Sequence, residues 1–146
     1  MQAGGKASTR LLLVEDDPDL HELIARVARR EGLDVLSAYT GEQALALLRQ
    51  SHSSVDWLLT DIRLPGLIDG WVVGSEFSLS HPLRPVIYIS GSESDTSRRA
   101  AGSLFLRKPV SLPDLITTFE RMSAEAARAG SLGPGRASDI PSNSAG

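Results

Sequence analysis

The sequence predicts a doubly wound α/β domain, in which a parallel β-sheet is covered by helices on both faces. Short, nearly continuous apolar runs alternate with amphipathic stretches, which is the pattern of strands buried on both faces and of helices with one apolar face. The length of 146 residues suits one such domain with a real core and is short for two.

Five segments are predicted as strands, and a helix is predicted after most of them. The strand candidates are residues 11–14, 34–38, 57–60, 85–90 and 103–107. The helix candidates are residues 19–30, 41–50, 70–79 and 113–128. The first helix is expected to be capped by Asp17 and Pro18 at its start and to end at Gly32. We expect a flexible segment at 1–9, a folded domain at 10–128 and a disordered tail at 129–146.

The composition excludes several classes of function. The net charge of −3 and the lack of a basic run argue against nucleic acid as a main partner. The absence of cysteine excludes disulfides, thiolate metal sites and a cysteine nucleophile. The first apolar run, residues 11–14, is far too short to cross a membrane, so a cytoplasmic protein is expected.

Polar side chains follow the predicted strands, and the carboxyl ends of parallel strands meet at one edge of the sheet. In chain order these residues are Glu15, Asp16, Asp61, Ser90 and Lys108. Clustered carboxylates repel one another unless a hard cation such as Mg²⁺ lies between them. A lysine and a hydroxyl can stabilise a phosphoryl group delivered to the central carboxylate. The set therefore indicates a site for an aspartyl phosphate.

Each residue also has an ordinary explanation when it is considered alone. Glu15 and Asp16 are typical acids at the start of a helix, Asp61 and Ser90 are typical of turns, and Lys108 is typical of a solvated surface. Their combination at successive strand ends favours the functional interpretation.

Four motifs give the sequence a resemblance to the response-regulator receiver family of two-component signalling. They are Leu-Leu-Leu-Val-Glu-Asp-Asp at 11–17, Leu-Leu-Thr-Asp-Ile-Arg-Leu-Pro-Gly at 58–66, Val-Ile-Tyr-Ile-Ser-Gly at 86–91 and Phe-Leu-Arg-Lys-Pro at 105–109. The resemblance covers residues 10–128, the predicted receiver domain. It implies a flavodoxin-like (βα)₅ three-layer sandwich with strand order 2-1-3-4-5.

The resemblance also implies a role for each site residue. Asp61 is the phosphoacceptor, and Ser90 and Lys108 contact the phosphoryl group. Mg²⁺ is held by Glu15, Asp16, Asp61 and the backbone carbonyl of Arg63. Ser90 and Phe105 form the switch that responds to phosphorylation, and the Lys108–Pro109 bond is cis.

The implied partners are a histidine kinase or a histidine phosphotransfer protein and a downstream protein that remains unknown. Nucleic acid and membranes are not expected partners. The protein would be a signalling switch that catalyses only its own phosphorylation and dephosphorylation, and not an enzyme in the usual sense. Only a tail follows the last predicted helix, so the chain is expected to act as a stand-alone receiver or as a receiver from a larger protein.

Two departures from the family pattern lead to further expectations. Only 18 positions separate Ser90 from Lys108, roughly four fewer than is typical, or about one helical turn. The helix between the fourth and fifth strands, which would lie in residues 92–102, should therefore be short or irregular. The loop after the acceptor, from Pro65 to Gly70, is about one residue longer than its commonest form, a variation seen in receivers attached to hybrid kinases.

Three alternative functions are kept open. A phosphatase of the haloacid-dehalogenase kind would also form an aspartyl phosphate, but its nucleophile follows the first strand, where Glu15 stands. A flavodoxin-like cofactor binder would place phosphate at Glu15–Asp17, where the acids repel it. A receiver fold used as a non-phosphorylated docking scaffold is the main alternative.

Two further side chains carry an expectation about their exposure. His21 is expected at the surface, and Trp71 is expected to be partly exposed.

Overall fold

The computed structural model describes residues 9–51, 54–92, 96–125 and 127–128, and the predicted parallel sheet is confirmed in them. The strands are β1 (Arg10–Val14), β2 (Asp34–Ala38), β3 (Trp57–Asp61), β4 (Val86–Ser90) and β5 (Leu104–Arg107). Neighbouring strands are parallel throughout, and their order is β2-β1-β3-β4-β5, as predicted. The predicted flexible segment 1–9, except for Thr9, and the predicted tail 129–146 lie outside the described residues.

Four helices occur in the described ranges. They are α1 (Pro18–Arg30), α2 (Gly41–Ser51), α3 (Gly70–Ser80) and α4 (residues 112–125). The carboxylate of Asp17 caps α1 by accepting a hydrogen bond from the amide of Asp19, and Asp69 caps α3 by accepting one from the amide of Val72. None of the helices in these ranges is long and apolar enough to cross a membrane.

Successive residues of each strand point to opposite faces of the sheet, which divides the core in two. One core cluster joins alternate strand residues such as Leu11, Leu13 and Leu59 to the apolar faces of α1 and α4. The other joins Leu12 and Leu58 to the apolar faces of α2 and α3. Because both faces of the sheet are covered, the central strands β3 and β4 are buried at every position.

The buried face of α1 contains a histidine, whereas the sequence analysis expects that histidine at the surface. Leu23 is 41% exposed, whereas His21 is 2% exposed and lies inside. His21, Ile24, Ala25 and Ala28 are all buried and stand three or four residues apart, so they share one face of the helix. The expectation of a surface position for His21 was therefore wrong.

The β4–β5 connection, residues 91–103, contains bends and turns in its described residues, which are 91–92 and 96–103. This confirms, in the part of the connection that the structure describes, the expectation that the helix between the fourth and fifth strands is irregular. Contacts from the described residues of the connection hold it to the domain. The amide of Ala100 donates to the hydroxyl of Tyr88 at 3.1 Å, and Arg98 lies 3.2 Å from the carboxylate of Asp69 at the start of α3.

Candidate functional site

The predicted site residues lie at one edge of the sheet because every strand runs in the same direction. Glu15 and Asp16 directly follow β1, Asp61 ends β3, Ser90 ends β4 and Lys108 follows β5. The register pairs Asp61 with Ile89, next to Ser90 on β4. Parallel pairing thus brings residues distant in sequence to one rim of the molecule.

Three carboxylates form the centre of this site. One oxygen from each of Glu15, Asp16 and Asp61 lies within 4.8 Å of the others. Glu15 and Asp61 are buried, at 0% and 3% exposure, and Asp16 is exposed. The amide of Arg63 donates to Asp61 Oδ1 at 3.3 Å, which orients the Asp61 carboxylate. The cluster therefore has two buried carboxylates, and its third carboxylate is exposed to solvent.

Lys108 brings a positive charge to the same place. Its Nζ donates to Asp61 Oδ2 at 2.7 Å and lies 3.9 Å from Glu15 Oε1. The amide of Lys108 donates to the backbone oxygen of Ser90 at 2.8 Å, which joins the end of β4 to the turn after β5. The Lys108–Pro109 bond is cis, as predicted. Burial disfavours the charged lysine, but its hydrogen bond to Asp61 and the surrounding acidic charges outweigh burial and raise the pKa of Lys108.

The buried carboxylate of Glu15 is only partly satisfied by hydrogen bonds. Its Oε2 accepts a hydrogen bond from the amide of Asp17 at 2.9 Å, while its Oε1 is buried without a hydrogen-bond partner. Burial, together with the charge of Asp61, raises the pKa of Glu15 to about 8, and the Asp17 amide and Lys108 only partly offset this. A second cation would coordinate the unsatisfied lone pairs of this buried oxygen and remove the repulsion between the carboxylates.

The donor set fits a hard divalent cation such as Mg²⁺. It consists of carboxylate oxygens, which Mg²⁺ prefers, and it contains an unpartnered buried oxygen on Glu15. The cluster of Glu15, Asp16 and Asp61 contains all three carboxylates that the sequence analysis assigns to the metal. The role of the Arg63 carbonyl stays a prediction.

Gly70 makes room for the backbone behind Asp61. A Cβ atom at Gly70 would collide with the backbone oxygen of Asp61 and would approach Ile62 Cα to 2.7 Å. The amide of Gly70 donates to the backbone oxygen of Ile62 at 2.8 Å. Because only glycine allows this approach, the start of α3 lies directly against the end of β3.

The predicted switch residues Ser90 and Phe105 lie on the neighbouring strands β4 and β5, but they are not opposite each other in the register. Ser90 is buried at the end of β4, and Phe105 on β5 is partly buried beside its register partner Tyr88. The ring centroids of Phe105 and Tyr88 are 5.4 Å apart, and those of Phe105 and Trp71 are 6.4 Å apart. We call Trp71, Tyr88 and Phe105 the aromatic cluster.

Trp71 is 7% exposed, so the expectation of a partly exposed side chain was wrong. Its ring centroid lies 4.8 Å from that of Tyr88. The described part of the β4–β5 connection has no helix to cover this region of β4 and β5, and the large indole ring from α3 contacts it instead. The aromatic cluster therefore links α3, through Trp71, to the predicted switch residue Phe105.

His21 is a residue near the site that the sequence analysis missed. Its Nδ1 lies 2.9 Å from the backbone oxygen of Glu15, and its Nε2 lies 2.8 Å from Ser37 Oγ. The spacing of His21 from Ile24, Ala25 and Ala28 is the signal that could have placed it inside.

Comparison with known proteins gives one family for this fold and site. The family model described as "Response regulator receiver domain" matches residues 11–120. Among curated proteins, the sensor kinase CckA of Brucella abortus is 32% identical over 119 residues, which are 79% of this chain and 12% of that protein. The transcriptional regulatory protein AruR of Pseudomonas aeruginosa is 32% identical over 135 residues, which are 87% of this chain and 54% of that protein. The chain thus spans only part of the length of these relatives.

Solved structures show the same similarity. A response regulator receiver protein from Sinorhizobium medicae has a TM-score of 0.70 and 25% identity, and the match covers 78% of this chain and 95% of that one. The receiver domain of the hybrid histidine kinase CckA has a TM-score of 0.65 and 32% identity, with coverage of 77% and 96%. With a family model that matches most of its described residues, the chain belongs to the response regulator receiver domain family, which is a family of two-component signalling switches.

Proposed function

We propose that this chain is the phosphoacceptor of a two-component phosphorelay and that Asp61 receives the phosphoryl group. The observation that carries the proposal is the position of Lys108 Nζ, 2.7 Å from Asp61 Oδ2, beside the cluster of Glu15, Asp16 and Asp61. An ordinary surface ion pair does not require a lysine to lie beside a cluster of three carboxylates, two of which are buried. A phosphoryl-transfer site does require opposite charges around its acceptor.

In the proposed reaction, a carboxylate oxygen of Asp61 attacks the phosphorus atom of a phosphohistidine. A phosphorus–oxygen bond forms, the phosphorus–nitrogen bond of the donor breaks, and the imidazole leaves with the bonding electron pair. Lys108 contacts the acceptor and balances negative charge that develops on the phosphoryl oxygens. Mg²⁺ held by Glu15, Asp16, Asp61 and the Arg63 carbonyl would supply the remaining positive charge.

Phosphorylation is proposed to act on the rest of the domain through Ser90 and Phe105. Ser90 ends β4 beside the acceptor strand, and its backbone oxygen accepts the amide hydrogen bond of Lys108. A movement of Ser90 toward the phosphoryl group would leave space that Phe105 can enter. Because the ring of Phe105 packs edge-on against that of Trp71, a movement of Phe105 would change the packing of Trp71.

The proposed phosphodonor is a histidine kinase or a histidine phosphotransfer protein, and the similarity to the receiver domain of a hybrid histidine kinase supports this class. The proposed downstream partner is a protein that binds the face of the domain that changes when Ser90 and Phe105 move. A cytoplasmic location, and catalysis limited to the chain's own phosphorylation and dephosphorylation, belong to the same proposal.

The test is incubation with a small phosphodonor such as acetyl phosphate, with Mg²⁺ or with a chelator, followed by intact-mass measurement. We expect one phosphoryl group to be added only when Mg²⁺ is present, and hydroxylamine to remove it, because acyl phosphates react with hydroxylamine. Addition in the presence of chelator would contradict the metal role. No addition in either condition would contradict the proposal and favour the docking scaffold.

A further inference from the structure

The ring of His21 connects three parts of the chain near the acidic cluster. Its Nδ1 is 2.9 Å from the Glu15 backbone oxygen at the end of β1, and its Nε2 is 2.8 Å from Ser37 Oγ on β2. One face of the ring stacks on Tyr39, with centroids 4.1 Å apart and an angle of 21° between the planes. Contacts at both nitrogens and on a face leave a buried imidazole little freedom to rotate.

The partners of His21 determine which nitrogen carries a hydrogen. A carbonyl oxygen can only accept, so Nδ1 must donate to Glu15. Nε2 can accept from the hydroxyl of Ser37, because a hydroxyl can donate or accept. The bond that matters for Glu15 therefore comes from the Nδ1 side of the ring.

This bond acts on the peptide unit that joins Glu15 to Asp16. The peptide unit is planar. A hydrogen bond that holds the Glu15 carbonyl in place therefore also fixes the position of the Asp16 nitrogen and Cα atoms. Asp16 itself is exposed, and packing gives its side chain little support. The position of its carboxylate depends mainly on how its two neighbours are held.

Both neighbours of Asp16 are held by hydrogen bonds. The amide of Glu15 donates to Ala38 O at 3.2 Å, and the amide of Asp17 donates to Glu15 Oε2 at 2.9 Å. The backbone oxygen of Asp17 accepts from the amide of His21 at 2.9 Å. His21 thus holds residues 15–17, which we call the acidic turn, at both ends. Its ring donates to the Glu15 carbonyl, and its backbone amide donates to the Asp17 carbonyl.

We propose that His21 is a positioning residue for the divalent-cation site, which it serves by holding the Glu15 carbonyl so that Asp16 faces Glu15 and Asp61. The inference rests on the proposed function, because that function gives the three-carboxylate cluster its cation. His21 does not touch the cluster's carboxylate oxygens in this arrangement. Its effect passes through the backbone, in the way that outer-shell partners orient ligands in metal sites.

Two substitutions separate the two nitrogens of the ring. The amide nitrogen of His21→Asn can take the place of Nδ1 and donate to Glu15. The amide group of His21→Gln reaches the place of Nε2 and leaves the Glu15 carbonyl without its donor. Ser37→Ala is the matched control, since it removes the Nε2 partner and leaves the Nδ1 bond intact.

The measurements are the Mg²⁺ dissociation constant by calorimetry and the hydrogen-exchange rates of the Asp16 and Asp17 amides without Mg²⁺. We expect His21→Gln to weaken Mg²⁺ binding about 10-fold or more and to accelerate exchange at both amides. We expect His21→Asn and Ser37→Ala to stay close to the wild type in both measurements. Denaturant unfolding of each variant gives the general loss of stability for comparison.

Equal Mg²⁺ affinity and equal exchange rates in His21→Gln and the wild type would overturn the inference. Equal losses in His21→Asn and His21→Gln would also overturn it, because they would mean that the imidazole acts only by filling space. A wild type that binds no Mg²⁺ would contradict the proposed function instead. In that case the exchange rates still decide whether His21 holds the acidic turn.

Discussion

The Nζ of Lys108 lies 2.7 Å from Oδ2 of Asp61, and the ion pair joins the ends of β5 and β3 across the intervening strand β4. The same Nζ is 3.9 Å from the buried Oε1 of Glu15. One lysine therefore contacts two carboxylates that come from different strands. This arrangement makes the charge of Lys108 central both to the site without a cation and to the proposed phosphoryl transfer.

Lys108→Met is expected to reduce the rate of phosphorylation by a small phosphodonor about 100-fold, because a charged donor to the transferring group is lost. The neighbouring substitution Arg107→Met is the control, since Arg107 is exposed on β5. The measurement is the rate of phosphoryl uptake at fixed Mg²⁺. Equal rates in Lys108→Met and Arg107→Met would show that Lys108 does not contribute.

The cation-free protein is expected to lose stability as the pH rises from about 4.5 to about 8, because of Glu15. The pKa of Glu15 is higher in the folded chain than its ordinary value, so the folded state retains a proton that the unfolded chain releases. Its contribution to stability is complete below the ordinary pKa and is lost as the pH rises through the folded pKa. The slope from one proton is at most about 1.4 kcal/mol per pH unit.

Denaturant unfolding across this pH range, without divalent ions, measures the effect of Glu15. Glu15→Gln removes the titrating carboxyl group, so the difference between wild type and variant isolates the contribution of Glu15. We expect the variant to have the flatter pH profile and Mg²⁺ to flatten the profile of the wild type. Parallel profiles for the two proteins would contradict the account of Glu15.

Gly70→Ala is expected to lower the free energy of unfolding by about 1–3 kcal/mol, because the new methyl group collides with the backbone at Asp61. Gly91→Ala serves as the control. A Cβ atom at Gly91 would have no described heavy atom within 4 Å outside Gly91 and its two chain neighbours, and the φ of Gly91 is not in the left-handed region. Equal stability losses in the two variants would argue against close packing of α3 behind the acceptor.

The fluorescence of Trp71 is expected to change when the domain is phosphorylated, because its ring lies 6.4 Å from that of the predicted switch residue Phe105. A Trp57→Phe background leaves Trp71 as the only tryptophan. We expect acetyl phosphate with Mg²⁺ to alter the emission of this protein. Adding Asp61→Asn should remove the change, and an unchanged spectrum in the parent would contradict the proposed route through Phe105.

The sheet and the location of the site could be predicted from sequence because they depend on local patterns. Apolar runs such as 11–14 and 86–89 identify strands buried on both faces, and parallel pairing then places Glu15, Asp61 and Lys108 at one edge. The three carboxylates and the lysine do meet there. Repeated strand–helix alternation was sufficient for this result.

The positions of His21 and Trp71 depended on contacts that single residue types do not reveal. A polar imidazole was expected outside, but its hydrogen bonds to Glu15 and Ser37 allow it to be buried. Trp71 was expected at least partly in solvent, but it contacts Tyr88 and Phe105 beside a connection that has no helix in its described residues. In both cases a long-range neighbour decided the burial.

The central claim is that Asp61 accepts the phosphoryl group, and intact-mass measurement of three proteins tests it most directly. Wild type, Asp61→Asn and the control Asp114→Asn, which removes a carboxylate from an exposed position on α4, are treated with acetyl phosphate and Mg²⁺. We predict that wild type and Asp114→Asn gain the mass of one phosphoryl group and that Asp61→Asn gains none. An undiminished gain in Asp61→Asn would contradict the account.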